Sequence, residues 1–127
     1  MTRGDSRVLL VEDDSWQSDV YRRQLERTGI VTATASSPQE ALMALDGFTP
    51  DIIVADVLLE GNSIFSLLHE IATYEDTRSI PVVLMTTEAS LLEGADLSGY
   101  GVVELIDKST MGVDAIVLAV RRWLHES

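Results

Sequence analysis

Residues with reactive side chains stand at the ends of several short apolar runs in this chain. They are Glu12, Asp13, Asp56, Thr86 and Lys108. Together they offer three carboxylates, one hydroxyl and one ammonium. Lys108 is the only lysine, against eight arginines. Its position after an apolar run favours a specific role over that of a solvated surface charge.

The three carboxylates point to a bound divalent cation. Adjacent acidic side chains repel one another, and oxygen ligands without nitrogen or sulfur suit Mg²⁺. Zinc is disfavoured because the chain has no cysteine and because His69 and His125 lie far from the acidic residues in sequence. Without metal, the repulsion is expected to raise the pKa of one carboxylate.

A divalent cation, a hydroxyl and an ammonium are the groups needed to receive a phosphoryl group. Asp56 is the natural nucleophile because it is central in the set. Thr86 can donate a hydrogen bond to one phosphoryl oxygen, and Lys108 can pair with another. These roles require that the side chains meet at one edge of the fold.

The apolar runs are short and mostly rich in valine and isoleucine, as in strands that are buried on both faces. The predicted strands are Val8–Val11, Ile30–Ala35, Ile52–Ala55, Val82–Met85 and Val102–Ile106. Because the carboxyl ends of parallel strands share one edge of the sheet, the reactive residues are expected to converge there.

Amphipathic stretches with capping residues separate these runs. The first helix is predicted to begin at Asp14 or Ser15 and to end at Gly29. Its predicted buried stripe consists of Trp16, Val20 and Leu25. Further helices are predicted from the capping box Ser37–Glu40 to Gly47, from Asn62 or Ser63 through Ile71, at about 88–96, and at about 111–125. The alternation predicts an α/β fold with helices on both faces of a parallel sheet.

Composition narrows the class of protein. The 127 residues suffice for one domain, which we predict over 1–127 with a core at about 7–125. A net charge of −12 disfavours direct binding to nucleic acids and to anionic membranes. The chain has neither a signal-peptide pattern nor an apolar run of membrane-spanning length, so a cytoplasmic location is expected.

Four segments carry a resemblance to a known family. LLVEDD, PDIIVAD, IPVVLMTT and GVVELIDK occur in this order, and intervals of 43, 30 and 22 residues separate Asp13, Asp56, Thr86 and Lys108. Over residues 7 to about 125, the chain resembles the receiver domain of bacterial two-component response regulators. The resemblance implies a doubly wound, five-stranded parallel sheet of order 2-1-3-4-5.

The resemblance also implies a role for each site residue. Asp56 resembles the phosphoacceptor, Asp13 the direct Mg²⁺ ligand, and Glu12 the acid that reaches the metal through water. The backbone carbonyl of Leu58 would complete the protein ligands. Thr86 resembles the switch hydroxyl, and Lys108 resembles the lysine that pairs with the phosphoryl group.

The same resemblance implies partners and a reaction. A sensor histidine kinase or a histidine phosphotransfer protein would supply the phosphoryl group, which is later hydrolysed. The chain would catalyse only its own phosphorylation and dephosphorylation. Phosphorylation would then bias the packing of the fourth helix, the fifth strand and the fifth helix toward an unknown downstream effector.

Several positions depart from the family pattern. Leu105 stands where tyrosine or phenylalanine is usual, and Ser109 stands where a proline preceded by a cis bond is usual. We therefore expect either a trans Lys108–Ser109 bond with a displaced loop or an unusual cis bond. Glu60 and Ile64 replace proline and glycine in the loop after Asp56. Thr87, where a smaller residue is common, can narrow access to the site.

The last helix carries a second hint. Its predicted buried stripe consists of Val113, Ile116, Val120 and Trp123, and Leu118 falls on the opposite side. An exposed leucine on the face that the family uses for output is a candidate homodimer or partner contact.

Two other classes of protein remain open. The altered loop and switch are compatible with a pseudo-receiver that binds partners without phosphorylation. An Mg²⁺-dependent phosphatase with Asp56 as nucleophile is the other, although Leu58 stands where the Asp-x-Asp phosphatases have their second acid. A flavin carrier is disfavoured because no Ser/Thr/Gly-rich phosphate loop follows the first strand.

Overall fold

A computed structural model describes residues 6–59, 62–88, 97–110 and 112–126. Five strands form one sheet: β1 Arg7–Val11, β2 Val31–Ala35, β3 Ile52–Asp56, β4 Val82–Thr86 and β5 Val102–Asp107. The helices are α1 Ser15–Arg27, α2 Pro38–Leu45, α3 Ile64–Thr73 and α4 Val113–Glu126. The predicted helix at about 88–96 lies outside the described residues except for Glu88. Glu60 also lies outside them.

The sheet is parallel throughout and has the order β2-β1-β3-β4-β5. This confirms the predicted 2-1-3-4-5 topology. Strands β3 and β4 are fully buried, as their continuous apolar runs require. Successive side chains of a strand point to opposite faces, so Ile53 joins a core beneath α2 and α3, whereas Val54 joins a second core beneath α1 and α4.

Helix α1 has the predicted ends but not the predicted stripe. Asp14 caps it, and its carboxylate accepts hydrogen bonds from the N–H groups of Trp16 and Gln17, both at 3.0 Å. Leu25 is buried as predicted, but Trp16 is 73% exposed, so its assignment to the buried stripe was wrong. Nine residues are two and a half helical turns, so Trp16 and Leu25 point to opposite sides of the helix.

The capping box of α2 is confirmed. The Glu40 N–H donates to Ser37 Oγ at 3.1 Å, and Pro38 occupies the first turn. The Glu40 carboxylate accepts from the N–H of Ser36 at 3.0 Å, one residue before the cap. The first bond satisfies a backbone donor that a helix leaves open at its start, and the second holds the residue before the cap.

The segment after β3 differs from the prediction. Leu58–Leu59 pairs with Asn62–Ser63 in a short antiparallel hairpin, and α3 begins after it at Ile64. Asn62 and Ser63, which were predicted to begin this helix, therefore belong to the hairpin instead. The side chain of Ile64 is fully buried in the core beneath α2 and α3.

Helix α4 packs as predicted. Ile116 and Val120 are buried, while Val113 and Trp123 are partly buried against the same core. Leu118 lies on the opposite side and is 58% exposed. A homodimer through this face stays a prediction. Among the described residues, no helix combines the length and apolarity of a membrane span.

Gly29 offers a test of how α1 ends. Its φ of +84° lies in the left-handed region, and a Cβ there would meet no atom within 4 Å. We expect Gly29→Ala to lower the free energy of unfolding by about 1 kcal/mol through backbone strain alone. Urea denaturation measures this change.

Gly47 provides the matched control, because it also has open space around its Cβ position but no positive φ. Gly47→Ala should leave stability unchanged or slightly raised. Equal losses in both variants would contradict the assignment of strain to Gly29.

Candidate functional site

The strand register brings four of the predicted site residues to one edge of the sheet. Val11, the residue before Glu12, is aligned with Ala55, and Asp56 is aligned with Met85 at the end of β4. The next pair, Thr86 and Asp107, is aligned in β4 and β5. The carboxyl ends of β1, β3, β4 and β5 therefore present their polar residues side by side.

Lys108 joins two of these strands through its ammonium. Its Nζ lies 2.6 Å from Asp56 Oδ2 and 3.0 Å from Glu12 Oε1. The Lys108 side chain is 9% exposed and that of Glu12 is 2% exposed, so the pairs are largely shielded from water. Lys108 is held at this position by its own backbone N–H, which donates to the Thr86 carbonyl at 2.7 Å.

Hydrogen bonds hold both the backbone and the side chain of Glu12. Its backbone N–H donates to the Ala35 carbonyl at 2.9 Å, which extends the pairing of β1 with β2. Its carboxylate accepts from Lys108 through Oε1 and from the Asp14 N–H through Oε2, the latter at 3.1 Å. The Glu12 side chain is thus oriented toward Asp56 by the first residues of the loop after β1.

Thr86 is fully buried at the end of β4. Its hydroxyl oxygen accepts a hydrogen bond from the Glu88 N–H at 3.0 Å. This bond ties the hydroxyl to the segment that follows the strand. Thr87, the next residue, is exposed beside the cavity that adjoins Lys108.

Asp13 is half-buried beside Glu12, and both line a cavity of about 270 Å³ that opens between α1 and the loop after β2. Within the described ranges, no three acidic or histidine side chains are arranged as a ready metal site. The donor set predicted from the sequence fits Mg²⁺ in its chemistry, because it consists of the carboxylates of Glu12, Asp13 and Asp56 and a backbone carbonyl at Leu58. Leu58 follows Asp56 closely and is held in the hairpin by pairing with Ser63.

Burial and charge shift the ionisation of the cluster. Burial raises the pKa of Glu12 to about 7, and the charge of Asp56 adds to the effect against hydrogen bonds from Asp14 and Lys108. The predicted rise of one carboxylate pKa is confirmed in direction, although burial exceeds repulsion as its cause. Burial lowers the pKa of Lys108, but Asp56 and Glu12 together outweigh it and raise that pKa above its usual value.

The departures from the family pattern have clear structural outcomes. The Lys108–Ser109 bond is trans, so the expected alternative of an unusual cis bond is wrong. The turn after it is held by Asp107, whose carboxylate accepts from the Ser109 N–H at 2.9 Å. Leu105 is partly buried against the core beneath α2 and α3.

One neighbour of the site was missed in the sequence. Tyr21 of α1 is 7% exposed, and the Lys108 Nζ lies over its ring, 5.8 Å from the centroid. The signal that could have found it is its spacing of four residues from Leu25, which places both on the buried side of α1. The predicted buried stripe of this helix included Val20 and left out Tyr21.

The raised pKa of Glu12 predicts a pH dependence of stability in metal-free protein. Between pH 4.5 and about 7 the folded state holds a proton that the unfolded state releases, so stability falls as pH rises through this window. Glu12→Gln cannot ionise and lacks this slope. We expect the wild-type stability minus the variant stability to drop by on the order of 2 kcal/mol from pH 5 to pH 8.

Chemical denaturation in the presence of a chelator measures this difference. Glu40→Gln is a suitable control, because Glu40 is an exposed acid whose pKa is lowered by hydrogen bonds from Ser36 rather than raised. A constant difference between wild type and Glu12→Gln across this range would contradict the pKa assignment.

Comparison with known proteins gives the family. A family model described as "Response regulator receiver domain" matches residues 8–121. The chain is 28% identical to the DNA-binding transcriptional regulator NtrC of Salmonella typhimurium over 93% of this chain and 25% of that protein. It is 32% identical to the transcriptional regulatory protein AfsQ1 of Streptomyces coelicolor over 94% of this chain and 53% of that protein. The chain thus spans about a quarter to half of these relatives.

Solved structures agree in fold. The chemotaxis response regulator CheY4 of Vibrio cholerae aligns with a TM-score of 0.83 at 20% identity, over 94% of this chain and 98% of that chain. The response regulator TrrA of Thermotoga maritima, in complex with Mg²⁺-BeF, aligns with a TM-score of 0.77 at 22% identity, over 93% and 98%. The match of the family model over most of the chain identifies this protein as a member of the response regulator receiver domain family.

Proposed function

We propose that this chain is a phosphoacceptor receiver that takes a phosphoryl group onto Asp56 from a phosphohistidine. The observation that carries the proposal is the ammonium of Lys108, held between Asp56 and Glu12 at the carboxyl edge of the sheet. This ammonium pairs with the Asp56 carboxylate, and it can pair with a phosphoryl oxygen once that carboxylate is phosphorylated. Receiver domains generally bind Mg²⁺, and one structural neighbour was solved with Mg²⁺-BeF.

The proposed transfer is an in-line displacement at phosphorus. A carboxylate oxygen of Asp56 forms the new P–O bond while the bond from phosphorus to the imidazole nitrogen breaks, and the leaving imidazole takes up a proton. Bound Mg²⁺ would neutralise charge on the phosphoryl oxygens. Glu12, Asp13, Asp56 and the Leu58 carbonyl are the residues that would hold it.

Thr86 is proposed as the switch that senses the phosphoryl group. Its hydroxyl now accepts from the Glu88 N–H, and turning to donate toward a phosphoryl oxygen would release that bond. Leu105 has no ring that could rotate with Thr86. Within the described residues, the hydrogen bond between the Glu88 N–H and the Thr86 hydroxyl links the site to the segment after β4.

The proposed setting is a cytoplasmic two-component pathway. The donor would be a sensor histidine kinase or a histidine phosphotransfer protein. Direct binding of this chain to nucleic acid is disfavoured by its net charge of −12, because the phosphates of nucleic acids are also negatively charged.

Phosphorylation can be tested with acetyl phosphate. With Mg²⁺, intact mass spectrometry should show an adduct of about 80 Da on the wild type and none on Asp56→Asn. Chelation of the metal should also abolish the adduct. Asp51→Asn is the matched control, since Asp51 lies at the opposite end of β3, where it accepts a hydrogen bond from the Arg7 N–H that asparagine can keep.

An unmodified wild type at every metal concentration would favour the interaction-only pseudo-receiver. Sustained turnover of an unrelated phosphoester would favour the phosphatase. An adduct that persists in Asp56→Asn would overturn the choice of phosphoacceptor.

The switch can be tested with the two tryptophans. In a Trp16→Phe background, Trp123 is the remaining tryptophan, and its Nε1 donates to Glu104 of β5 at 2.8 Å. We expect beryllofluoride with Mg²⁺ to change its emission, Thr86→Ser to preserve the change, and Thr86→Val to lose most of it. All three proteins should still take the acetyl phosphate adduct.

The physical reason is that valine keeps the shape of Thr86 but cannot donate a hydrogen bond. A full emission change in Thr86→Val would show that the hydroxyl does not couple the site to β5 and α4.

A further inference from the structure

Tyr21 is an aromatic side chain in contact with the site lysine, and neither the resemblance nor the proposed mechanism uses it. The Lys108 Nζ lies over the face of its ring, 5.8 Å from the centroid. An ammonium within about 6 Å of a ring face is attracted by the negative potential of that face. The contact is 7% exposed on the tyrosine side and 9% on the lysine side, so water screens it little.

The surroundings show what the ring does for Lys108. A cavity of about 340 Å³ adjoins the lysine on its outer side, lined among others by Trp16, Thr87 and Val113. Tyr21 and Lys108 line the same cavity. A lysine side chain there has room to swing out into solvent. The contact between the ammonium and the Tyr21 ring opposes that movement.

The orientation of the ring is itself supported by α1. Leu25 lies one turn further along the helix and shares its core with Tyr21. The Tyr21 hydroxyl donates to Gln17 Oε1 at 3.4 Å, one turn earlier. The ring is therefore held from both sides along the helix, and its face is available to the ammonium.

We propose that Tyr21 is a positioning residue, whose ring face holds the Lys108 ammonium at Asp56 and Glu12 for phosphoryl transfer. The role in transfer rests on the proposed function, because it takes Lys108 as the group that pairs with the phosphoryl oxygens. The contact between ring and ammonium does not depend on it. Burial raises the pKa of the Tyr21 hydroxyl, although the nearby ammonium of Lys108 acts to lower that pKa, and the hydroxyl stays neutral near neutral pH.

The sequence offers an unambiguous probe of this contact. Lys108 is the only lysine among the 127 residues, so protein labelled with ¹³C-lysine gives one set of side-chain signals. Protons above an aromatic face shift upfield. The ε-CH₂ signal should be upfield in the wild type and in Tyr21→Phe, which keeps the ring, and should return to the random-coil position in Tyr21→Leu.

The kinetic arm uses acetyl phosphate with Mg²⁺ and the same variants. Tyr21→Leu should slow adduct formation between about 2-fold and about 30-fold, the range expected for loss of a desolvated cation–π contact. Tyr21→Phe should restore most of that loss, since the ring rather than the hydroxyl carries the effect. Ile30→Ala is the matched control, because Ile30 is buried in the same core but precedes β2, at the edge of the sheet opposite to Lys108.

The outcomes separate this inference from the proposed function. An unshifted lysine signal in the wild type, or equal slowing in Ile30→Ala and Tyr21→Leu, would overturn the positioning role. Equal rates in wild type and Tyr21→Leu would overturn it as well. If the wild type takes no adduct at all, the proposed function and the role in transfer both fail, while the lysine signal still decides whether the ring holds the ammonium.

Discussion

The functional edge of this molecule depends on one ammonium placed between two buried carboxylates. Lys108 contacts Asp56 and Glu12, which come from different strands, and all three side chains are nearly excluded from solvent. Leaving a buried charge without its partner costs about 3–5 kcal/mol in proteins generally. Two carboxylates at the ends of neighbouring strands therefore need a cation, and the ammonium of Lys108 supplies that charge.

That arrangement needs the register of the sheet. Parallel pairing aligns the ends of β1, β3, β4 and β5, and the bond from the Lys108 N–H to the Thr86 carbonyl continues the pairing one step beyond β5. A slip of one residue in any of these strands would turn every side chain of that strand to the opposite face. The two apolar cores prevent the slip, so the packing of Ile53 and Val54 on opposite faces also fixes the geometry of the site.

The charges at this edge of the sheet depend on one another, so a change of charge at Asp56 also affects Glu12. Glu12 has its pKa raised to about 7 by burial, so its charge is sensitive to anything that changes the charge of Asp56 nearby. Thr86 is bonded to the segment after β4, and Leu105 packs without a ring in the adjoining core. A phosphoryl group would therefore meet a hydroxyl that is linked to the following backbone, rather than an aromatic side chain free to rotate.

The sequence alone determined the five strands and the caps of α1 and α2, because apolar runs and capping residues are local signals, and the order of its motifs predicted the site residues. It did not determine that Trp16 is exposed, that Tyr21 covers Lys108, or that a short hairpin precedes α3. Lys108 is 52 residues from Asp56 and 96 from Glu12 along the chain, so only the tertiary register could place its ammonium between them. Helix rotation and side-chain contact depend on packing against the sheet, which no local pattern encodes.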